Sequence, residues 1–430
     1  MSKPLKIAVA GLGTVGAGAV KLLRQNADLL AQRCGRRLEV MAVSARDQAR
    51  DRGVDLKDLS WYDDPVRMVA EADADVVVEL IGGSDGVAKE LIEAAFAKGR
   101  HVVTANKALL AVHGTALART AEAAGVALAF EAAVAGGVPI IKALREGLAG
   151  NLVNRVYGIL NGTSNYILTN MRESGREFAE VLAEAQEKGY AEADSGFDVD
   201  GIDAAHKLAI LTSVAFGCEV MFDGVYVEGI RHVSPLDIEY AEELGYRIKL
   251  LGSARLTEHG IEQRVHPCMV SLEAPIAHVE GVLNAIAAAG DFVGDTLYEG
   301  RGAGAGPTAS AVVADLVDIA RGRQMRTFAV PAMELKKIPA SPMERHWGAY
   351  YIRLMVVDRP GVIADVAAAL RDDQISIASV LQRGRAPDEA VPIVLITHEC
   401  EEAAMIHALA RIKCLYTILE PPRMIRIEPL

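Results

Sequence analysis

No long basic tract occurs in this chain, and acidic residues outnumber basic ones by 57 to 45, a formal net charge of -12. That balance argues against a nucleic-acid-binding surface. No C-x-x-C pair occurs among the five scattered cysteines, Cys34, Cys218, Cys268, Cys400 and Cys414. A structural zinc site and a disulfide framework are therefore not expected. No uncharged run approaches the roughly 18 residues that a membrane span needs. The start, MSKPLKIAVAGLG, leads into a strand and lacks an apolar signal-type core, so a cytoplasmic location is expected. Long repeats and low-complexity tracts are also missing. What is present is 430 residues, 51% of them apolar. At roughly 150 residues per domain this suggests about three domains, with ample material for several cores.

The first third alternates strands with helices. Leu5–Ala10, Leu38–Val43, Asp75–Ile81, His101–Thr104 and Ala127–Glu131 read as strands; Thr14–Leu30, Val87–Lys98 and Gly114–Ala124 read as helices. This rhythm predicts an α/β domain with a parallel, doubly wound sheet over 1–135. From Gly136 longer helices mix with strands at Asn154–Leu160, Arg247–Ala254 and Gly260–Val270, which predicts an α+β domain over 136–307. A helix at Ser310–Gly322, within 308–330, is placed to return to the first domain. Pro331, Pro339 and Pro342 mark a linker, 331–348. The remainder, 349–430, reads as a compact βαββαβ domain: strand Tyr350–Val357, helix Gly361–Arg371, strands Ser376–Gln382 and Val391–Thr397, helix Glu401–Ala410 and a last strand near Leu415.

Ile7–Ala10 runs directly into Gly11-Leu12-Gly13-Thr14-Val15-Gly16. A bare G-x-G-x-x-G is weak, but one that follows a strand and opens a helix is a credible dinucleotide fingerprint. Gly11 and Gly13 allow a tight turn and close approach to a pyrophosphate. Gly16 lets the helix pack near the sheet, and the helix start at Thr14 and Val15 offers N–H groups to phosphate. The second strand ends in Val43-Ser44-Ala45-Arg46. An acid there would bind a ribose 2′-hydroxyl and an arginine a 2′-phosphate. Ser44 and Arg46 favour NADP, while Asp47 keeps NAD open.

Lys107 follows the strand at His101–Thr104, where ligands of open α/β sheets bind, so it is expected to face cofactor or substrate unless it is an ordinary helix-start lysine. Glu131 opens the loop through Val134, Gly136, Gly137, Val138 and Pro139. One carboxylate with several exposed carbonyls suits a hard cation, and a plain domain-crossing turn is the competing reading. Gly300–Thr308 is a second glycine-rich loop, either closing over the cofactor or acting as a hinge. Asp358–Ala364 joins strand to helix and offers backbone N–H groups to the carboxylate of a small amino acid. His232, His266 and His346 show no ligand spacing, and His206 reads as a packing or capping residue.

The most informative stretch is GYAEADSGFDVDGIDAAHKLAIL, Gly189–Leu211. It carries Glu192, Asp194, Asp198, Asp200 and Asp203, then a helix with one lysine, Lys207. Asp203 and Lys207, four residues apart, share a helix face. No charged residue occurs from Leu208 to Cys218, so the helix is expected to be buried with Lys207 at the rim beside acids. Both a structural ion pair and a proton donor fit that placement.

Together these blocks closely resemble homoserine dehydrogenase with a C-terminal ACT-type regulatory domain. The resemblance rests on GLGTVG, VELIGG at 78–83, HVVTANK at 101–107, FEAAVAGGVPI at 130–140, GILNGTSNYIL at 158–168, the Gly189–Leu211 block, GRGAGAGPTASAV and DRPGVIA. It implies a Rossmann-type first domain, a catalytic and dimerisation domain, and a ferredoxin-like ACT domain. It implies NAD(P)H-dependent reduction of L-aspartate 4-semialdehyde to L-homoserine. In that pattern Lys207 matches the proton-donating lysine, and Glu192 and Asp203, with Asp198 beside them, match the acids around the substrate. Lys107 matches a lysine facing cofactor and substrate, and Gly189 and Gly304 match backbone contacts to the cofactor. Glu131, Val134, Gly136 and Val138 match a sodium site made mostly of carbonyl oxygens. The resemblance further implies a homodimer or homotetramer and an amino-acid effector, threonine by preference, at the ACT domain. Rival readings are another semialdehyde or amino-acid dehydrogenase on this fold and a non-catalytic sensor. The acid-plus-lysine helix argues against a sensor, which needs no proton donor.

Overall fold

The N-terminal sheet has six strands: β1 (Leu5–Ala10), β2 (Leu38–Ser44), β3 (Ser60–Tyr62), β4 (Val76–Glu79), β5 (His101–Thr104) and β6 (Leu128–Ala129). They pair in parallel in the order β3-β2-β1-β4-β5-β6. Helices α1 (Thr14–Gln25), α2 (Ala27–Cys34), α3 (Pro65–Glu71), α4 (Val87–Ala97) and α5 (Lys107–Ala123) connect them. Alternation along β1 explains the layering. Ala8 and Ala10 pack with Met68, Leu91 and Leu109 on one face, and Ile7 and Val9 pack with Val20, Leu23 and Leu30 on the other. This computed structural model describes residues 3–191, 194–323, 325–383 and 389–430. Glu192 therefore lies outside the described residues.

Two local expectations are corrected here. The helix anticipated over Thr14–Leu30 is broken at Asn26, whose backbone leaves helical angles, and α2 starts afresh after it. The helix anticipated at Gly114 begins at Lys107. The Asn106 side-chain oxygen accepts the Leu109 N–H at 3.1 Å, so a polar cap rather than apolar spacing sets the start.

The next segment contains α6 (Ile140–Lys142), β7 (Val153–Ile159), α7 (Gly162–Ser174), α8 (Phe178–Glu187), α9 (Gly196–Val199), α10 (Ile202–Phe216), β8 (Val225–Val227), α11 (Pro235–Glu243), β9 (Tyr246–Thr257), β10 (Gly260–Ser271), β11 (Leu283–Gly290) and β12 (Gly294–Arg301). Helix α12 (Ala305–Ala320) then lies against α1. A Cβ on Gly18 would come within 2.9 Å of the Ala305 carbonyl, so glycine permits this close approach. The β11–β12 pair escapes a sequence reading because its runs are rich in alanine and glycine, which have low strand propensity.

The chain ends with β13 (Trp347–Val357), α13 (Val362–Asp372), β14 (Ile377–Gln382), β15 (Ala390–Thr397), β16 (Cys400–Glu401), α14 (Glu402–Lys413) and β17 (Arg423–Glu428). Apart from the short β16, this is the ferredoxin-like βαββαβ order. The last strand is not near Leu415, where only an isolated bridge, Val356 to Ile418, forms. It lies at Arg423–Glu428, and it is hidden in sequence because the charged Arg426 and Glu428 are buried.

β17 joins the two halves of one continuous sheet, β12-β11-β7-β9-β10-β17-β13-β15-β14. It pairs in parallel with β10 and antiparallel with β13. Ion pairs make its buried charges tolerable. Glu428 meets Arg264 on one oxygen and Arg155 at 2.6 Å on the other. Arg426 meets Glu402 at 2.5 Å and Glu228 at 2.9 Å. His266 and Cys268 bring ligand-type atoms within 4.8 Å of Glu428, but Arg264 and Arg155 already neutralise that acid. Among the described residues, no helix is long and apolar enough to cross a membrane.

Candidate functional site

Strand order reverses between β1 and β4, and an open cleft of about 1010 Å³ lies at their carboxyl ends. Open α/β sheets bind ligands at such a switch point. Gly11 and Gly13 line the cleft, with Ser44, Arg46 and Asp47 from the tip of β2 and Arg50 and Arg52 beyond it. The three fingerprint glycines do different jobs. Gly11 has φ +92, and a Cβ there would lie 2.4 Å from the Leu80 carbonyl oxygen. A Cβ on Gly16 would lie 1.9 Å from the Gly11 oxygen. A Cβ on Gly13 would meet nothing within 4 Å, so protein packing leaves that space to a ligand. No side chain caps the start of α1 at Thr14 and Val15, whose N–H groups are therefore available to a phosphate. These features fit a dinucleotide.

Arg50 and Arg52 were not singled out in the sequence. Arg52 stacks over Trp61 at 5.3 Å and donates to the Leu12 carbonyl at 3.1 Å, which ties the loop after β2 to the fingerprint. Gly189, at φ +73 after α8, and Gly304, at φ +115 before α12, are outside this part of the cleft.

The adjoining strand tips carry a fixed polar network. Buried Glu79 at the end of β4 accepts the N–H groups of Ile81 at 2.7 Å and Gly82 at 3.1 Å, and the Thr104 hydroxyl at 2.6 Å. Asn106 donates to the Gly83 carbonyl at 2.8 Å. Together these bonds hold the turn that launches Lys107 as the first residue of α5.

Lys107 reaches helix α10. Its Nζ is 3.2 Å from Asp203 Oδ1, while Lys207 Nζ is 2.6 Å from Asp203 Oδ2. Lys207 also donates to the Leu160 carbonyl at 2.7 Å. Helix α10 is buried at every position from Asp203 to Val214, so this ion pair sits at the edge of a core. Burial opposes ionisation of Asp203, but the Lys207 and Lys107 charges, with hydrogen bonds from Lys207 and Asn161, hold its carboxyl well below the usual range. Asp198, on α9, accepts from Asn161 at 2.8 Å and forms no salt bridge among the described residues. Burial and the neighbouring Asp203 raise its pKa. A positive ligand group beside Asp198 would relieve that cost. His206 packs between Phe197 and Phe222, with ring centroids at 5.5 and 4.3 Å, as a packing residue would.

The Glu131 loop contains the expected donor types. Burial and Asp315 push the Glu131 carboxyl up to about 7, against the N–H groups of Lys142 and Ile141 at 2.9 and 3.0 Å. Lys142 faces both Asp315, at 3.2 Å, and Asp318. Each Glu131 oxygen thus accepts one backbone N–H and keeps acceptor capacity, and the loop adds carbonyl oxygens, of which that of Val138 already accepts the Ile140 N–H at 2.8 Å. Such a set, with buried negative charge behind it, fits a singly charged hard cation. Glycine lets the loop meet its neighbour, since a Cβ on Gly136 would lie 2.9 Å from the Gly302 carbonyl. At the far end, Asp358–Ala364 lines a cavity of about 340 Å³ between β13 and α13.

A nucleotide cleft at a sheet's switch point, with a lysine from the adjoining strand tip reaching a buried lysine–acid pair, defines a dehydrogenase of the pyridine-nucleotide class. Comparison with known proteins narrows this. Residues 11–131 match the model for the homoserine dehydrogenase NAD-binding domain, 139–317 the homoserine dehydrogenase model, and 350–413 the ACT domain. A homoserine dehydrogenase of Pseudomonas aeruginosa is 48% identical over 437 residues, covering 100% of each chain. One from Neisseria gonorrhoeae is 46% identical, covering 100% of this chain and 99% of its own. The crystal structure of a homoserine dehydrogenase from Thiobacillus denitrificans superposes with a TM-score of 0.94 at 47% identity, covering 99% of this chain and 98% of that one. The chain belongs to the homoserine dehydrogenase family.

Proposed function

We propose that this protein catalyses the reversible NAD(P)H-dependent reduction of L-aspartate 4-semialdehyde to L-homoserine, with NADPH preferred, in the cytoplasmic route to threonine, methionine and isoleucine. The observation that carries this reading is the fixed ammonium of Lys207. An ammonium has three N–H groups. Two are committed, to the Leu160 carbonyl at 2.7 Å and to Asp203 at 2.6 Å. Those two acceptors set the rotation of the group and so aim the third N–H.

When bound at the fingerprint, a reduced nicotinamide nucleotide would supply the hydride for the aldehyde carbon. Negative charge then develops on the aldehyde oxygen, where the third N–H of Lys207 stabilises it and delivers the proton. Lys107 adds a second positive charge on the cofactor side. Asp198, lacking a cation partner of its own among the described residues, receives the substrate ammonium, together with Glu192. Asp203 serves the two lysines more than the substrate. Gly189 and Gly304 contribute backbone contacts to the nucleotide.

In this reading residues 1–135, with 308–330, form the nucleotide domain, 136–307 the catalytic and dimerisation domain, 331–348 the linker and 349–430 the regulatory domain. Arg46 and Arg50 receive the 2′-phosphate. The carbonyls of Glu131, Val134, Gly136 and Val138 hold sodium. The exposed Leu152, Phe292, Val293 and Leu297 near edge strand β12 support pairing of two copies through 136–307, as a dimer or within a tetramer. Threonine binds at Asp358–Ala364 and lowers activity through β17. Initial rates with the semialdehyde and each nucleotide, with and without threonine, test the whole reading. Absence of turnover with either nucleotide contradicts it.

A further inference from the structure

Asn161 lies between β7 and α7, and its side chain is used three ways. Its Oδ1 accepts the Ser164 N–H at 2.8 Å and so caps α7. Its Nδ2 donates to Asp198 Oδ1 at 2.8 Å and to Asp203 Oδ2 at 2.9 Å. The residue is buried, with 4% exposure. Its backbone neighbour, Leu160, supplies the carbonyl that takes one Lys207 proton. Asn161 and Lys207 therefore converge on the same oxygen of Asp203.

We propose that Asn161 is a positioning residue for the reaction, holding Asp203 and Asp198 in one frame so that the free N–H of Lys207 stays aimed at the substrate oxygen. The physical case rests on donor counting. The buried carboxylate of Asp203 and the half-buried one of Asp198 repel, and a neutral group with two N–H donors bridges them without adding charge. Remove the bridge and Asp203 keeps only its two lysines, Lys207 on Oδ2 and Lys107 on Oδ1 at 3.2 Å, so the carboxylate is held by long flexible side chains alone and the reference it gives the ammonium is less fixed. Asp198 loses its shortest hydrogen bond and becomes easier to protonate. Misplacement of a reacting group by a fraction of an ångström is costly in rate while leaving distant binding untouched. Asn161 does not itself touch the reacting atoms.

This inference rests on the proposed reduction, and the test separates the two. Asn161→Ser keeps an oxygen able to cap α7 but is too short to bridge both acids. Asn161→Asp keeps the cap and the size but replaces the donors with a third carboxylate. Each variant is compared with the wild-type full chain for kcat, KM, NADPH dissociation constant, unfolding midpoint and the pH profile of kcat/KM. We expect both variants to lose at least tenfold in kcat with NADPH affinity within twofold of wild type. Among the described residues, the charged groups facing this site are Asp198, Asp203, Lys107 and Lys207, with titratable His206 alongside. Losing donors to the acids moves the acid limb of the profile to higher pH. Wild-type kcat and an unmoved acid limb in both variants overturn the inference. So does a loss of kcat that only tracks lost folding or lost NADPH binding. If the wild-type protein itself fails to reduce the semialdehyde, it is the proposed function that falls.

Discussion

Lys107 stands 3.2 Å from Asp203 although the two belong to different parts of the chain, Lys107 opening α5 beside the nucleotide cleft and Asp203 opening α10 in the following segment. The bond ties the strand tip of one sheet to the helix that carries Lys207. Geometry at the cleft is thereby linked to the direction of the ammonium.

Asp203→Asn tests that link. The carboxyl is buried between two cations, and removing its charge leaves them facing each other. We expect a loss of about 3 kcal/mol of stability, typical of breaking a buried pair from one side, and a fall in kcat. The pKa of Asp203 is depressed in the folded state, so its stabilising contribution is present above the unfolded value of about 3.9 and fades as pH falls through the lower folded value. Denaturant unfolding at pH 7 and at acid pH measures this. Equal stability of variant and wild type at pH 7 contradicts it.

Gly13 and Gly16 separate binding from folding. Gly13→Ala adds a methyl where no protein atom lies within 4 Å, so the unfolding midpoint should hold while the NADPH dissociation constant rises. Gly16→Ala drives a methyl to within 1.9 Å of the Gly11 oxygen, so both stability and binding should suffer. Thermal unfolding and nucleotide titration of the pair decide. Tight NADPH binding by Gly13→Ala contradicts the assigned phosphate position.

The arginines at the tip of β2 address cofactor choice. Arg46→Ala and Arg50→Ala should each raise KM for NADPH about tenfold, the scale of one lost charge-assisted contact, and leave KM for NADH nearly unchanged. Equal effects on both nucleotides would place the 2′-phosphate elsewhere.

Much of this was legible in the sequence. The strand–fingerprint–helix succession located the cleft, and the four-residue spacing of Asp203 and Lys207 located their ion pair, because both are local patterns. What was not legible depends on long-range pairing. Lys107 meeting Asp203 needs the two sheets assembled, and the bridging amide of Asn161 looks like an ordinary N-cap along the chain. β17 failed for a related reason. Its Arg426 and Glu428 read as solvent-facing residues, whereas partners on β10, β7 and α14 bury them. The start of α5 failed because an asparagine cap sets it, seven residues before the expected Gly114.

Glu428 at the shared strand gives a pH prediction. Burial alone would raise its pKa, but the Arg264 charge and hydrogen bond, with Arg155 and His266, hold it at about 2. That is below the unfolded value of about 4.3, so its stabilisation is complete above that pH and is lost as pH falls toward 2. Glu428→Gln should lower stability at pH 7 by about 3 kcal/mol and flatten the change in stability between these limits. Unfolding free energies across that range check it. A variant curve parallel to that of the wild type contradicts the ion-pair assignment.

The most direct measurement follows NADPH oxidation with L-aspartate 4-semialdehyde by the wild-type chain and by Lys207→Ala, alongside the NADPH dissociation constant of each. The wild-type chain should turn over, and the variant should lose about 10³-fold or more in kcat, within the range for a lost proton donor, while binding NADPH within twofold of wild type. Turnover by Lys207→Ala near the wild-type rate would contradict the role given to that ammonium.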